Sequence, residues 1–378
     1  MIFLADRIRM TFMDNLSNRF FRCWPILLLV FAAGSGRVLA TGTWGATDSM
    51  EYDRYWFTAT TLFSGQVLVT GGYSYETYDL ATAELYDSTT GHWTETRRMR
   101  AARYNHTATL LTDGRVLVAA GYNGSEMSSA EIYNPATALW NRTGSLNIAR
   151  DEHSATLLHD GRVLVVGGYS PTVGSSPSTE IYDPATGRWT TQGNLRDGRW
   201  WTTATTLNDG RVLVAGGVGV AVSNLATCEI FDPATGQWSQ TGRLHVGRYA
   251  HRTTILADGR VLVTGGHSGN YAPTNTAETY DPATGVWTMV GNMAKGRARH
   301  SIALLADGRV LVAGGWNVQV IPAAEIFDPA SSTWSATGRL ITGRDEHSSA
   351  VLLDGRVLVA GGQDRQNFEL DSAELYTP

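Results

Sequence analysis

Arginine stands at seven nearly evenly spaced positions: Arg54, Arg103, Arg150, Arg199, Arg248, Arg297 and Arg344. A guanidinium grips a carboxylate or phosphate through forked hydrogen bonds, so one reading is a ring that holds anionic ligand groups. Glutamate recurs in step, at Glu84, Glu131, Glu180, Glu229, Glu278, Glu325 and Glu374. The plainer reading is therefore a set of structural Arg–Glu pairs, because a buried charge must be paired.

The two residues after each arginine do not repeat. They read Tyr55-Trp56, Tyr104-Asn105, Asp151-Glu152, Trp200-Trp201, Tyr249-Ala250, Ala298-Arg299 and Asp345-Glu346. A position kept for packing alone would repeat. Aromatic faces beside carboxylates suit a polar ring-shaped ligand such as a sugar, or an exposed peptide. Residues that follow a recurrent glycine pair add Tyr73, Tyr122, Tyr169, His267 and Trp316. The bland alternative is that these aromatics only pack between repeats. The candidate ligand site comprises Arg54, Tyr55, Trp56, Tyr104, Arg150, Asp151, Glu152, Arg199, Trp200, Trp201, Tyr249, Arg299, Trp316, Asp345 and Glu346. No catalytic residue is assigned.

His106, His153, His251, His300 and His347 share one repeat position, which Phe57 and Thr202 fill elsewhere. A position that accepts Phe and Thr reads as packing rather than as a metal or acid–base site. Cys228 stands where other repeats place Ala or Thr and reads as a small buried residue. No Gly-rich phosphate loop, nucleophile elbow or zinc spacing stands out. Neither a metal nor a cofactor is expected.

A repeat carries these residues. Its clearest copy is Arg150–Trp189, RDEHSATLLHDGRVLVVGGYSPTVGSSPSTEIYDPATGRW, and its glycine pairs or their equivalents begin 47 or 49 residues apart from Gly71 to Gly361. Seven such copies point to one closed repeat architecture. Within each copy, His-Ser-Ala-Thr-Leu-Leu alternates small or polar with apolar residues and predicts a strand. Asp-Gly predicts a tight hairpin, because such turns need positive φ. Val-Leu-Val-Ala predicts a buried strand, and the glycine pair a bend or a close backbone approach. Ala-Glu-Ile-Tyr, the turn Asp-Pro-Ala-Thr-Gly and a Trp-bearing strand complete the unit. Four antiparallel strands, seven times over, predict an all-β seven-bladed propeller.

The paired glycines, the aromatic before Asp-Pro and the Trp of the last strand resemble the Kelch repeat; here they stand as Gly216-Gly217, Phe231 before Asp232-Pro233, and Trp238. Blade two departs, with Ala120-Gly121 and Asn134. The resemblance covers about residues 42–378 and is similar in wording to exported bacterial Kelch proteins. It implies that the first strand of each blade lines a central channel, as in the related central domain of galactose oxidase.

Trp93, Trp140, Trp189, Trp238, Trp287 and Trp334 close six repeats, but a seventh would fall beyond Pro378. Trp44 lies one repeat before Trp93. The segment Thr41–Ala46 is therefore expected to supply the outer strand of the last blade, beside Ala373–Tyr376. The Asp-Gly-Arg and Asp-Pro-Ala-Thr-Gly turns share one nearly uniform face. The loops after the glycine pairs and the links from Trp to Arg share the other. These differ most between repeats, and differing loops are where binding is usually placed.

The first forty residues lie outside the pattern. A segment with Arg7, Arg9, Arg19 and Arg22 precedes an apolar run, Cys23–Ala33, and small residues end at Ala40. This order predicts a secretory signal over 1–40, with a single propeller domain over 41–378. The run is short for a membrane span, so no integral span is expected after cleavage, an uncleaved anchor being the alternative. The product would be secreted, periplasmic or at the cell surface. Only Cys228 survives such cleavage, which excludes an internal disulfide. The net charge of −5 gives no basic field to recommend nucleic acid as a partner. A closed ring has no unpaired inner edge, and a monomer is expected.

Two function classes follow. One is an exported, non-catalytic propeller that binds a carbohydrate or protein ligand at the channel mouth. The other is suggested by resemblance to enzymes on related propellers: a sugar-modifying enzyme like a sialic-acid mutarotase or, less readily, a copper-radical oxidase. For the former, Arg150, Asp151, Glu152, Asp345 and Glu346 would be available for proton transfer.

Overall fold

The computed structural model describes residues 42–378; the expected signal, 1–40, lies outside the described residues. Seven four-stranded antiparallel sheets follow one another along the chain. Blade one contains Thr58–Thr61, Val67–Thr70, Ala83–Tyr86 and Trp93–Thr96, each paired with the next. Blade three repeats it as Ser154–Leu157, Val163–Val166, Thr179–Asp183 and Arg188–Thr191. The inner strands contact each other in a closed circle, with Thr58–Thr61 touching both Thr107–Leu110 of blade two and Ser348–Val351 of blade seven. They line the channel, as the family resemblance implies. Among the described residues, no helix is long and apolar enough to cross a membrane.

The core is divided among the seven blade interfaces. In blade one, Val67 and Val69 pack against Leu358 and Ala360 of blade seven, whereas Leu68 packs against Val116 and Val118 of blade two. Alternate side chains thus face opposite neighbours, and both faces are buried. That is why the second strand of each blade is apolar without alternation.

The last blade is closed from the front of the chain. Thr43–Thr47 pairs antiparallel with Ala373–Thr377, in register Trp44 opposite Tyr376. The rings of Trp44 and Tyr376 lie 5.1 Å apart, as do those of Tyr182 and Trp189 within blade three. The Trp44 indole N–H donates to the Gly338 carbonyl of blade six (3.0 Å). The strand begins two residues later than the sequence suggests and one residue longer at its end.

The Asp-Gly-Arg turn differs from the tight hairpin that Asp-Gly predicts. Only the glycine is left-handed (Gly114, φ 84°), and its N–H donates to the Leu111 carbonyl at 3.0 Å. The aspartate keeps ordinary φ, and its carboxylate holds the arginine instead. Asp113 Oδ1 accepts the Arg115 backbone N–H (3.0 Å) and Oδ2 accepts its Nε–H (2.8 Å).

The glycine pairs join neighbouring blades. Gly168 N–H donates to the Arg199 carbonyl of the next blade (2.9 Å), and a Cβ on Gly167 would meet that oxygen at 2.3 Å. The same bond repeats around the ring and closes from Gly362 to Arg54 (2.8 Å). Ala120 occupies the first glycine position of blade two at φ 57°. Left-handed backbone costs a non-glycine residue about 1–2 kcal/mol, of which glycine's greater unfolded freedom cancels about 0.4–1. Ala120→Gly is expected to stabilise the protein by about 0.5–1 kcal/mol in urea denaturation.

Candidate functional site

Arg54, Arg150 and Arg199 do not belong to a ligand site. All seven opening arginines are fully buried. Arg150 Nη1 donates to the carbonyls of Gly167 (2.7 Å) and Ser178 (3.0 Å), and Nη2 to Ser178 Oγ (2.7 Å) and Glu180 Oε1 (2.9 Å). The other carboxylate oxygen of Glu180 accepts the backbone N–H of Asn147 (2.7 Å), in the link that arrives from blade two. Each pair therefore staples a blade to its incoming link. In each pair both Nη groups are spent within the protein and the arginine does not reach the cavity, which decides between the two readings of the arginine series.

Beyond the arginine, the two variable positions separate into tiers. The first joins the residue after the glycine pair: Tyr55 bridges to Tyr73, Tyr104 to Tyr122, Asp151 to Tyr169, Tyr249 to His267, Ala298 to Trp316 and Asp345 to Gln363. In blade four, Trp200 pairs with Val218. Tyr55, Asp151, Tyr249 and Asp345 are buried there. They pack as a layer around the mouth and do not line its cavity.

The second tier forms the mouth itself. Trp56, Asn105, Glu152, Trp201, Ala250, Arg299 and Glu346 all hold left-handed backbone, φ 49–56°. Each donates its N–H to the carbonyl of its counterpart in the preceding blade. The circle runs from Asn105 to Trp56 (3.0 Å) and closes from Trp56 to Glu346 (3.4 Å). Left-handed φ on seven non-glycine residues is local strain, which persists only where surrounding structure over-determines it. Here the hydrogen-bond circle does so. It holds six large or polar side chains around a central cavity of about 440 Å³.

The ring has an internal order. Glu346 precedes Trp56, and Glu152 precedes Trp201, so two Glu–Trp neighbours recur around the mouth. Trp56 stacks on Tyr104 (5.4 Å between centroids) and Trp201 on Tyr249 (5.6 Å). Arg299 binds Glu346 at 2.7 Å and lies over the Trp201 ring, 5.4 Å from its centroid. Only the methyl of Ala250 stands between Trp201 and Arg299 in the ring order.

Burial governs the acids. It raises Glu152 to about 8, helped by the charges of Asp151 and Glu346. It also lifts Asp345 to about 7 and Asp151 to about 6. Glu346 is raised by burial too, with Arg299 pulling the other way. The tyrosines behind the ring, Tyr55 and Tyr104, are pushed up by burial as well.

Below the ring sit the recurrent histidines. His106 Nε2 lies 3.2 Å from Thr58 Oγ1 and His153 Nε2 lies 2.8 Å from Thr107 Oγ1, each bridging to the preceding blade. Burial holds His106, His251, His300 and His347 well below the usual range and His153 at about 3, so they are neutral. Cys228 is buried in the cluster between blades four and five, with its thiol raised to about 11 by burial.

Sequence reasoning left out Asn105 of the ring, the histidines at the position read as packing, and one charged cavity residue, Arg252. It occupies the first position of its inner strand, Arg252–Ile255, where the other blades have Thr58, Thr107, Ser154, Thr203, Ser301 and Ser348. The signal that could have found it is the lone Arg among Ser and Thr, two residues after the variable pair.

The KLHDC2/KLHL20/DRC7 Kelch-repeats domain model matches residues 152–362, and the Kelch motif matches 103–147. The chain belongs to the Kelch-repeat family. No curated protein matches it. Among solved structures, this Kelch propeller is similar to a novel fungal alcohol oxidase with catalytic diversity among the AA5 family, in complex with copper. The TM-score is 0.73 at 18% identity, over 89% of this chain and 76% of that one. At that identity the likeness concerns fold alone. The donor set here does not fit a copper centre. Among the described residues no three His, Cys, Asp or Glu side chains are grouped to hold a metal, and His106, His153, His251 and His300 face threonine hydroxyls.

Proposed function

We propose that this Kelch propeller is an exported, non-catalytic binding protein that recognises a carbohydrate at its channel mouth. Family membership is consistent with a binding or interaction role, and the signal-like pattern of residues 1–40 supports export. The observation that carries the sugar reading is the left-handed ring. It sets Trp56 and Trp201 beside Glu346 and Glu152 over a cavity of about 440 Å³. Indole faces cover the apolar face of a sugar, carboxyl groups hydrogen-bond its hydroxyls, and the volume falls in the ordinary range for a small-ligand site.

A glycan array on the signal-free chain tests this, followed by titration of the best binder against Trp56→Ala and Trp201→Ala. Ala250 already holds the ring conformation, so both variants are expected to fold. Each is expected to weaken sugar binding by about tenfold or more. No sugar binding to the unaltered chain would sink the reading.

A protein ligand is the second reading. The loop tips on the same face expose Val220 (80%), Tyr271 (65%), Val318 (84%) and Phe368 (67%), an apolar crown wider than a sugar needs. Substituting Val220 and Val318 by Ser separates the two, because a sugar confined to the cavity would not respond. A sugar-modifying activity would rest on Glu152, whose pKa near neutrality suits proton transfer. Exchange of the anomers of a bound sugar, followed by NMR, is its distinguishing signal.

A further inference from the structure

The most unusual charge in the molecule is Arg252. It lines the central cavity, in a strand position that is Ser or Thr in every other blade. Its one hydrogen bond within the described residues is from Nη1 to the His251 carbonyl, at 3.2 Å. Nε and Nη2 have no partner there. The opening arginines, by contrast, each hold a glutamate, whereas among the described residues no carboxylate lies within ion-pair distance of Arg252. Glu346 acts on it only at range, and Arg299 repels it. Arginine does not surrender its proton in proteins. Its side chain is partly exposed to the cavity, so an anion that enters there meets a cation without a counter-ion.

The charges around it can be counted. Arg299 is committed to Glu346. The histidines beneath the ring are held neutral by burial. Glu152 is mostly protonated at neutral pH. Among the groups that line the cavity, one positive charge, that of Arg252, is left without a partner; Asp151 and Asp345, which titrate at about 6 and about 7, stand in the layer behind and not on the cavity wall.

We propose that Arg252 receives the carboxylate of an acidic sugar, so that the ligand is a singly charged sugar of the uronic-acid class. This rests on the carbohydrate reading above and narrows it. A planar carboxylate matches the guanidinium fork. A monoanion matches the single uncompensated charge, whereas a phosphate dianion would leave excess negative charge beside Glu346. The indoles of Trp56 and Trp201 then cover the sugar ring above the anchored acid.

A pH dependence follows. Glu152 is faced by Asn105 from blade two, Trp201 from blade four, its neighbour Asp151, and Glu346 and Arg299 across the mouth. Below about 8 it carries its proton and adds no negative charge to the cavity wall opposite Arg252. As pH rises through that value it ionises and repels the bound carboxylate, so affinity for the acidic sugar falls. Glu152→Gln should flatten that fall.

The test is calorimetry on the signal-free chain with glucuronate and galacturonate disaccharides and their neutral glucose and galactose counterparts. Arg252→Thr installs the residue that blades one, two and four already carry, so the strand is preserved. In the unaltered protein the uronates should bind more tightly than the neutral sugars. The variant should lose about tenfold or more in uronate affinity, with less than about a twofold change for the neutral sugar. Equal affinity for both classes, or equal loss of both in the variant, overturns the proposal while leaving the carbohydrate reading in place. Binding of neither class sinks both. Arg252-dependent capture of a free-acid peptide but not its amide, without uronate binding, would assign the charge to a peptide end and also overturn it.

Discussion

Removal of residues 42–50 is expected to lower the melting temperature by about 7 °C or more. The deletion takes away all five pairings between Thr43–Thr47 and Ala373–Thr377, together with the Trp44 contact on Tyr376. It leaves an unpaired edge on blade seven and opens the cluster that joins blades six and seven, against which Trp44 packs. Burying a whole Trp removes about 150–250 Å² from water, or about 4–6 kcal/mol at 25 cal/mol per Å². Trp44 is only partly buried, so it supplies part of that, and the lost ladder brings the total to about 5 kcal/mol. Unfolding entropy of about 2.1 cal/mol/K per residue gives about 0.7 kcal/mol/K for a chain of this size, hence the shift. Differential scanning calorimetry checks it. Trp44→Ala should produce a smaller fall in the same direction. An unchanged melting temperature for the deletion would mean that the ring is closed by something else.

Glu180→Ala is expected to cost about 3–5 kcal/mol, the range for removing one member of a buried pair. The loss strands Arg150 in a dry site and releases the Asn147 and Ile148 N–H groups. Asp160→Ala is the contrast. Its partner Arg162 is equally close, at 2.7 Å, but both side chains meet solvent. Exposed pairs contribute about 0–1 kcal/mol, and the turn bond from the Arg162 N–H to Asp160 adds about 1, so that variant should lose no more than about 2 kcal/mol. Guanidinium denaturation of the two variants decides whether burial rather than distance sets the value. Similar losses for both would contradict the account of the staple.

The family was legible because its signals are local. Gly71 and its equivalents, the aromatic–Asp–Pro turn and Trp238 are readable within one repeat, and their spacing announces how many blades there are. The closing strand was legible from arithmetic on Trp44. The candidate site was half legible. The variable pair after each arginine located the mouth, but Tyr55 and Trp56 look equivalent in sequence. Only the left-handed φ of the second residue separates a packing layer from a cavity wall. The Asp-Gly turn misled in a similar way, since Gly114 alone takes the positive φ that the dipeptide suggests for both residues.

What the chain's order of residues determined is the blade: strand periodicity, turn chemistry and the Arg–Glu pairs are interactions within one repeat, or between it and its incoming link. What only the tertiary structure decided is the centre. The circle of hydrogen bonds from Trp56 round to Glu346, the Arg299–Glu346 pair, the raised acid of Glu152 and the unpartnered Arg252 exist because blades far apart in the chain are brought around one axis. Their properties come from shared burial and mutual charge at the axis, which no single repeat contains.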